Sequence, residues 1–195
     1  MAIHYGYVSI PHSTYAEWRS NVIGEGYNVD YSWGCQCWDL VAELYFNAGF
    51  PQGYPLTGPN HSAYECWTVN RYNNISYNGT QYFDLITNIN DVEAGDVLVW
   101  NYSASWQNGH IAFADESYDG SGYIWSIGQN QGGTPLPGGG TAVDRQRLPV
   151  ANFLGAFRYR EWHTTPPIPP SVTREHKFKW VLYSRNLRNK RNNML

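Results

Sequence analysis

Gln36-Cys37-Trp38-Asp39-Leu40-Val41-Ala42-Glu43-Leu44-Tyr45-Phe46-Asn47-Ala48-Gly49 places Leu40, Val41, Leu44, Tyr45 and Ala48 at helical spacing and runs into Gly49-Phe50-Pro51. Apolar side chains in that rhythm share one face of a 3.6-residue period, and a glycine followed by proline stops a helix. The stretch predicts an amphipathic helix that must cover something apolar. Upstream, residues 24–34 are polar, turn-rich and aperiodic, so the helix emerges from a structured loop. Downstream, a second helix is expected around His61–Val69, followed by Asn- and Gly-rich turns over 70–79. From Asp91 the pattern changes to β runs at Val97–Trp100, Gly109–Ala114, Gly122–Ile127 and Phe153–Tyr159. Helices first and strands second give an α+β class, with N-terminal helices packed on an antiparallel sheet.

The 195 residues suffice for one ordinary domain and a short appendage. Charged residues are only 15% of the chain and hydrophobic ones 42%, with 9 Trp, 16 Tyr and 7 Phe, which excludes wholesale disorder and disfavours long solvated helices. Residues 1–163 hold 6 Lys and Arg against 15 Asp and Glu, a balance of −9. Residues 164–195 hold 7 basic residues and Glu175 alone, a balance of +6. An acidic body is not a nucleic-acid-binding core, because neutralising phosphates needs clustered cations. No apolar run approaches a membrane span, and the first residues lack the basic and apolar regions of a secretory signal. The glycine-rich loop at Gly132–Gly140 lacks the Lys-Ser/Thr ending of a phosphate-binding loop. Four prolines within 164–170 read as a linker, leaving 1–163 as the main domain and 171–195 as a basic, aromatic segment. That segment is either a solvated tail or an arm that attaches the domain to an acidic partner.

Three cysteines, Cys35, Cys37 and Cys66, are too few for a disulfide framework, and with one histidine they make no spaced zinc set. Cys37 stands at the start of the predicted helix, where unpaired N–H groups and the macrodipole favour a thiolate. The alternative is a small buried hydrophobe sharing a face with Leu40, Val41 and Leu44. His110 opens a β run in which His110, Ala112 and Ala114 share one face, and those small neighbours leave room there for the helix. A helix-opening cysteine, a strand-opening histidine and a later strand carrying amides are the parts of a Cys-His nucleophilic site.

Gly34-Cys35-Gln36-Cys37-Trp38-Asp39-Leu40, Ala94-Gly95-Asp96-Val97-Leu98-Val99-Trp100, Gly109-His110-Ile111-Ala112 and Gly128-Gln129-Asn130 together resemble the CHAP family of cysteine, histidine-dependent amidohydrolases/peptidases. The resemblance covers about residues 28–159. It implies a papain-like fold and cleavage of amide bonds in bacterial peptidoglycan, as in phage lysins and bacterial autolysins. By position, Cys37 matches the nucleophile and His110 the general base. Many relatives carry a Glu where this chain has Gly128, so Asn130, on the strand face of Ser126 and Gly128, is expected to orient His110 through its carbonyl. Gln129 should point the other way. Backbone N–H groups at the helix start would hold the oxyanion, with Gln36 either assisting or capping the loop.

Oxygen-bearing residues Asn28, Asp30, Ser32 and Asp39 fall at positions 1, 3, 5 and 12 of a loop, with the Gly34 carbonyl at position 7, a calcium-like spacing. Some relatives that resemble this chain bind calcium at the matching positions. Here an amide replaces the first carboxylate and Trp33 takes the usual glycine position, and Asp39 could serve only as a helix cap. The expectation is a virion-associated, tail-borne lysin or a free endolysin acting on the cell wall. Its rivals are a non-catalytic wall-binding or structural module and a transglutaminase-like acyl transferase.

Overall fold

The structure is a computed structural model that describes residues 1–164. Its elements are β1 (Ile3–Tyr5), α1 (Tyr15–Val22), β2 (Gly26–Asn28), α2 (Cys37–Asn47), α3 (Glu65–Thr68), β3 (Ser76–Tyr77), β4 (Thr80–Gln81), β5 (Phe83–Ile86), β6 (Val97–Trp100), β7 (His110–Ala114), β8 (Tyr123–Gly128), β9 (Asp144–Pro149), β10 (Phe153–Tyr159) and α4 (Arg160–His163). Six strands form one sheet in the order β5-β10-β6-β7-β8-β9, with every pairing antiparallel. A parallel β1–β2 pair and a β3–β4 hairpin stand apart from it. This is the α+β class expected, and residues 1–163 form one compact unit. The Pro-rich stretch after Thr164 and the 171–195 segment lie outside the described residues. Among the described residues no helix is long and apolar enough to cross a membrane.

The decisive helix forms as its spacing dictates. Leu40, Val41 and Leu44 are buried in one cluster with Ile111 and Phe113 of β7 and with Val97 and Val99 of β6. Full burial of each such side chain is worth about 1.5–3 kcal/mol, so this contact fixes the helix against the middle of the sheet. It also corrects one expectation, because α2 lies on the Ile111/Phe113 face of β7 and not on the His110/Ala112/Ala114 face. The larger side chains bury more area against the helix. The small residues instead leave space on the far face, where Trp100, Leu98 and Ala156 make a second cluster.

The short strands β1 to β4 escaped the sequence pattern, and so did three larger elements. Helix α1 has little apolar rhythm and is specified at its start, where Thr14 Oγ1 accepts from the Glu17 N–H and Glu17 reaches back to the Ser13 N–H and hydroxyl. Strands β5 and β9 are edge strands with mixed burial, so period-2 alternation is weak in both. The second helix contracts to the single turn of α3.

The polar side of α2 ties down the N-terminal segment. Glu43, fully buried, accepts from the Val8 N–H at 3.2 and 3.3 Å, while Asn47 accepts from the Ile10 N–H and donates to the Val8 carbonyl. Burial pushes the Glu43 carboxyl up to about 8, so the folded protein holds a proton that the unfolded chain releases near its ordinary value. The folded state therefore binds more protons between about pH 4.3 and 8, and stability contributed by this group falls as pH rises across that window. Glu43→Gln should flatten the decline of melting temperature between pH 5 and 8. A variant that follows the wild-type slope would show that Glu43 does not govern it.

Candidate active site

Cys37 occupies the first position of α2, after Gln36 as N-cap. The N-cap is closed by Asp39, whose carboxylate accepts from the Gln36 N–H at 2.7 Å and from the Val29 N–H at 3.0 Å. Asp39 is fully buried, and burial raises its carboxyl to about 7, opposed by those N–H donors. All three cysteines are free thiols. The Cys37 thiol is half-buried, and its burial pushes it up to about 11, against N–H groups of Ile111, Cys37 and Trp38 that favour the thiolate. Those donors locate the sulfur. It sits beside the Ile111 N–H, beyond the Phe113–Ile127 and Ala114–Ser126 pairs that join β7 to β8. The helix start thus fills the notch where β8 leaves β7, one residue from His110.

The chain before His110 admits only glycine. Gly109 has φ +69°, and a Cβ there would lie 2.6 Å from the Trp100 carbonyl and 2.8 Å from the Tyr64 Cβ. His110 itself is 2% exposed. Trp106 stacks on its ring at 4.8 Å between centroids, with Trp100 tilted at 5.8 Å. Burial lowers the imidazole to about 4, so both members of the pair rest uncharged near neutrality.

A groove of about 1140 Å³ opens over the helix start, lined among others by Trp33, Gln36, Cys37, Trp38, Tyr54 and Asn108. Cys37 is thus accessible while His110 stands behind the wall. Of the tryptophans near these segments, Trp67 and Trp100 are core, Trp106 covers the imidazole, and Trp33 is 87% exposed at the groove margin.

The amides after β8 are distributed differently from expectation. The strand ends at Gly128, and Asn130 adopts φ +55°, so face alternation stops before it. Asn130 does not reach His110; its Nδ2 donates to Gln36 Oε1 at 2.9 Å. Gln36 in turn donates to the Trp33 carbonyl at 2.6 Å, which makes it a brace of the loop. Gln129 points away from His110, as expected. Its amide accepts from the Tyr27 N–H and donates to the Tyr27 and Gln36 carbonyls. The His110 ring is bonded instead to Gln131, with 3.1 Å between Nε2 and Oε1. Sequence reasoning missed Gln131 because regular alternation was carried past the end of the strand.

The loop before α2 bends through left-handed Tyr31, Trp33 and Gly34. Asn28 Oδ1 is buried without a hydrogen-bond partner, and Asp30 lies close enough to raise the Asp39 carboxyl further. Asp30 Oδ1 accepts from the Ser32 N–H at 2.8 Å. An orphaned oxygen in the same loop as two mutually repelling carboxylates fits the chemistry of a hard cation. Among the described residues no cluster of three His, Cys, Asp or Glu could hold a metal, so a cation here would depend on amide and main-chain oxygens as well.

The CHAP domain signature matches residues 26–130. The chain is 34% identical over 148 residues to a D-alanyl-L-alanine endopeptidase of Streptococcus phage B30, covering 75% of this chain and 30% of that protein. It therefore spans about a third of that relative's length. The fold is also similar to the crystal structure of the wild-type endolysin LysIME-EF1, with a TM-score of 0.53 and 20% identity over 78% of this chain and 65% of that one. With the signature spanning the helix-opening cysteine, the strand-opening histidine and the amides after β8, the chain belongs to the CHAP domain family.

Proposed function

We propose that this chain is a peptidoglycan hydrolase that cleaves peptide amide bonds of the bacterial cell wall by cysteine nucleophilic catalysis. The observation that carries the reading is the Cys37 thiol on the floor of an open groove, at a helix start and one residue from the strand position of His110. The similarity to the D-alanyl-L-alanine endopeptidase of phage B30 favours an endopeptidase acting at a D-alanyl-L-alanine bond.

In this reading the sulfur attacks the peptide carbonyl while His110 takes the thiol proton. His110 then gives that proton to the leaving amine as the C–N bond breaks, producing a thioester on Cys37. Water adds to the thioester, and collapse releases the carboxylic acid and regenerates the thiol. The Cys37 and Trp38 N–H groups, already turned to the sulfur, are the donors for the oxyanion. Asn130 acts through Gln36, holding the helix-start loop.

Calcium would be held by the Asn28, Asp30, Ser32 and Asp39 side chains with the Gly34 carbonyl, and would neutralise the Asp30–Asp39 repulsion beneath the loop that leads into α2. The basic 171–195 segment would attach the enzyme to other virion proteins, with a free endolysin as the other outcome. A specific observation favours a second reading, a non-catalytic wall-binding module: His110 is enclosed and no carboxylate stands at position 128.

On purified Gram-positive cell walls, Cys37→Ala should lower the clearing rate by about 10³-fold or more, and mass spectrometry of the digest should show new peptide termini. Equal clearing by both proteins refutes cysteine catalysis, no clearing by either favours the binding module, and crosslinked products indicate acyl transfer. A chelator should lower the melting temperature and added calcium restore it, since a ligand bound only by the folded state stabilises it. An unchanged melt removes the calcium site. Deleting 171–195 should preserve wall clearing and abolish incorporation into particles; normal incorporation refutes the attachment role.

A further inference from the structure

We propose that Gln131 is the positioning residue for His110, its side-chain carbonyl taking the seat that a side chain at position 128 would otherwise fill. For its catalytic consequence this rests on the hydrolase reading above; for its geometry it stands alone. Gly128 is the first support. A Cβ built there would lie 2.6 Å from Gln131 Oε1 and 2.9 Å from the Ala112 Cβ. Gly128 and Ala112 therefore leave a space beside the imidazole that Gln131 enters from three residues along the chain. The left-handed turn at Asn130 provides the reversal. Asparagine tolerates that conformation better than most residues do.

The amide can sit only one way round. Gln131 Nε2 donates to the Asp144 carbonyl at 2.9 Å and to the Ser126 carbonyl at 3.4 Å. Flipping the amide would set its oxygen against both carbonyls and lose both bonds. Oε1 is therefore the atom facing His110 Nε2, and an acceptor there requires Nε2 to carry the proton. The neutral ring then carries its lone pair on Nδ1, which in the hydrolase reading is the nitrogen that receives the thiol proton. Trp106, stacked at an interplanar angle of 19°, fixes the ring plane, so the two contacts together determine orientation and tautomer. The surroundings are otherwise uncharged. Trp100 approaches from β6, Cys37 opens α2 while the α2 carboxyls of Asp39 and Glu43 accept from the N–H groups of Gln36, Val29 and Val8, and from β8 and β9 Ser126 and Asp144 turn main-chain carbonyls toward the amide. Only burial and the Gln131 hydrogen bond act on the ring's titration, in opposite directions.

The test compares wild type with Gln131→Met, which keeps the length of the side chain and removes the acceptor. Histidine ¹⁵N spectra of the full chain should show wild-type His110 as the Nε2–H tautomer and the variant as a mixture. On soluble peptidoglycan fragments, kcat should fall about 10²-fold with KM unchanged. The acidic limb of the rate profile should move to lower pH, because the lost hydrogen bond was raising the imidazole and activity disappears as pH falls through its pKa. Equal melting temperatures would show that the fold is intact. A wild-type Nδ1–H tautomer, or a variant that retains the Nε2–H tautomer, overturns the assignment whatever the rate does. An unchanged kcat in Gln131→Met beside an inactive Cys37→Ala overturns the positioning role and leaves the hydrolase reading standing. A fully active Cys37→Ala overturns the hydrolase reading and leaves the tautomer measurement to judge Gln131.

Discussion

The site depends on the buried amide of Gln129. It sits immediately after β8 and bonds at once to both main-chain groups of Tyr27 on β2 and to the carbonyl of Gln36, the N-cap of α2. Three pieces of chain distant in sequence are thereby locked at one point: the strand before the loop, the start of the helix and the end of the strand flanking His110. Each such bond contributes about 1 kcal/mol net, but leaving one of these buried groups without a partner costs about 1–3 kcal/mol. That asymmetry makes the junction specific. Packing of Leu40 and Leu44 on β7 sets the depth of the helix, and a helix can still turn or slide on an apolar surface. Gln129 removes that freedom where the Cys37 sulfur must be placed.

What was legible in the sequence follows from which forces leave a periodic trace. Helix α2 and strands β6, β7, β8 and β10 are buried on at least one face, so their apolar residues recur at the period of the element. Helix α1 is specified by a polar cap and edge strands β5 and β9 by their neighbours, and neither cause leaves such a rhythm. The placement of Cys37 at a helix start and of His110 at a strand start was readable from the pattern, while the side of β7 that receives the helix was not. Small residues on a strand mark space, and they do not reveal what fills it. Around Ala112 that space holds an amide and the imidazole, and the helix takes the opposite face.

Asn130 shows a sharper limit. The rule that alternate residues share a face holds only while the backbone stays extended, and one left-handed residue ends it. Asparagine is among the side chains that accept such a conformation, so the residue that looked like a partner for His110 by alternation is also the one that breaks the alternation. With the turn in place, Asn130 falls back on Gln36 and Gln131 falls onto His110. The glycine at 128 then belongs to a coherent local solution, since any side chain there would compete with Gln131 for the same volume.

In the proposed hydrolase, an amide in that seat would change where catalysis finds its electrostatics. A carboxylate bonded to Nε2 would both fix the tautomer and stabilise the imidazolium formed when the thiol proton moves. A neutral carbonyl performs the first task fully and the second only through its dipole. The enclosing tryptophans keep water from supplying the remainder, which is why the ring titrates so low. Stabilisation of the charge-separated state must then come mainly from the other end of the pair. There the Ile111, Cys37 and Trp38 N–H groups surround the sulfur, and the first turn of α2 directs its positive end at the developing negative charge. In the proposed reaction the helix start would therefore be more than a mount for Cys37, because with an uncharged partner behind the histidine it would be the principal source of field in the site.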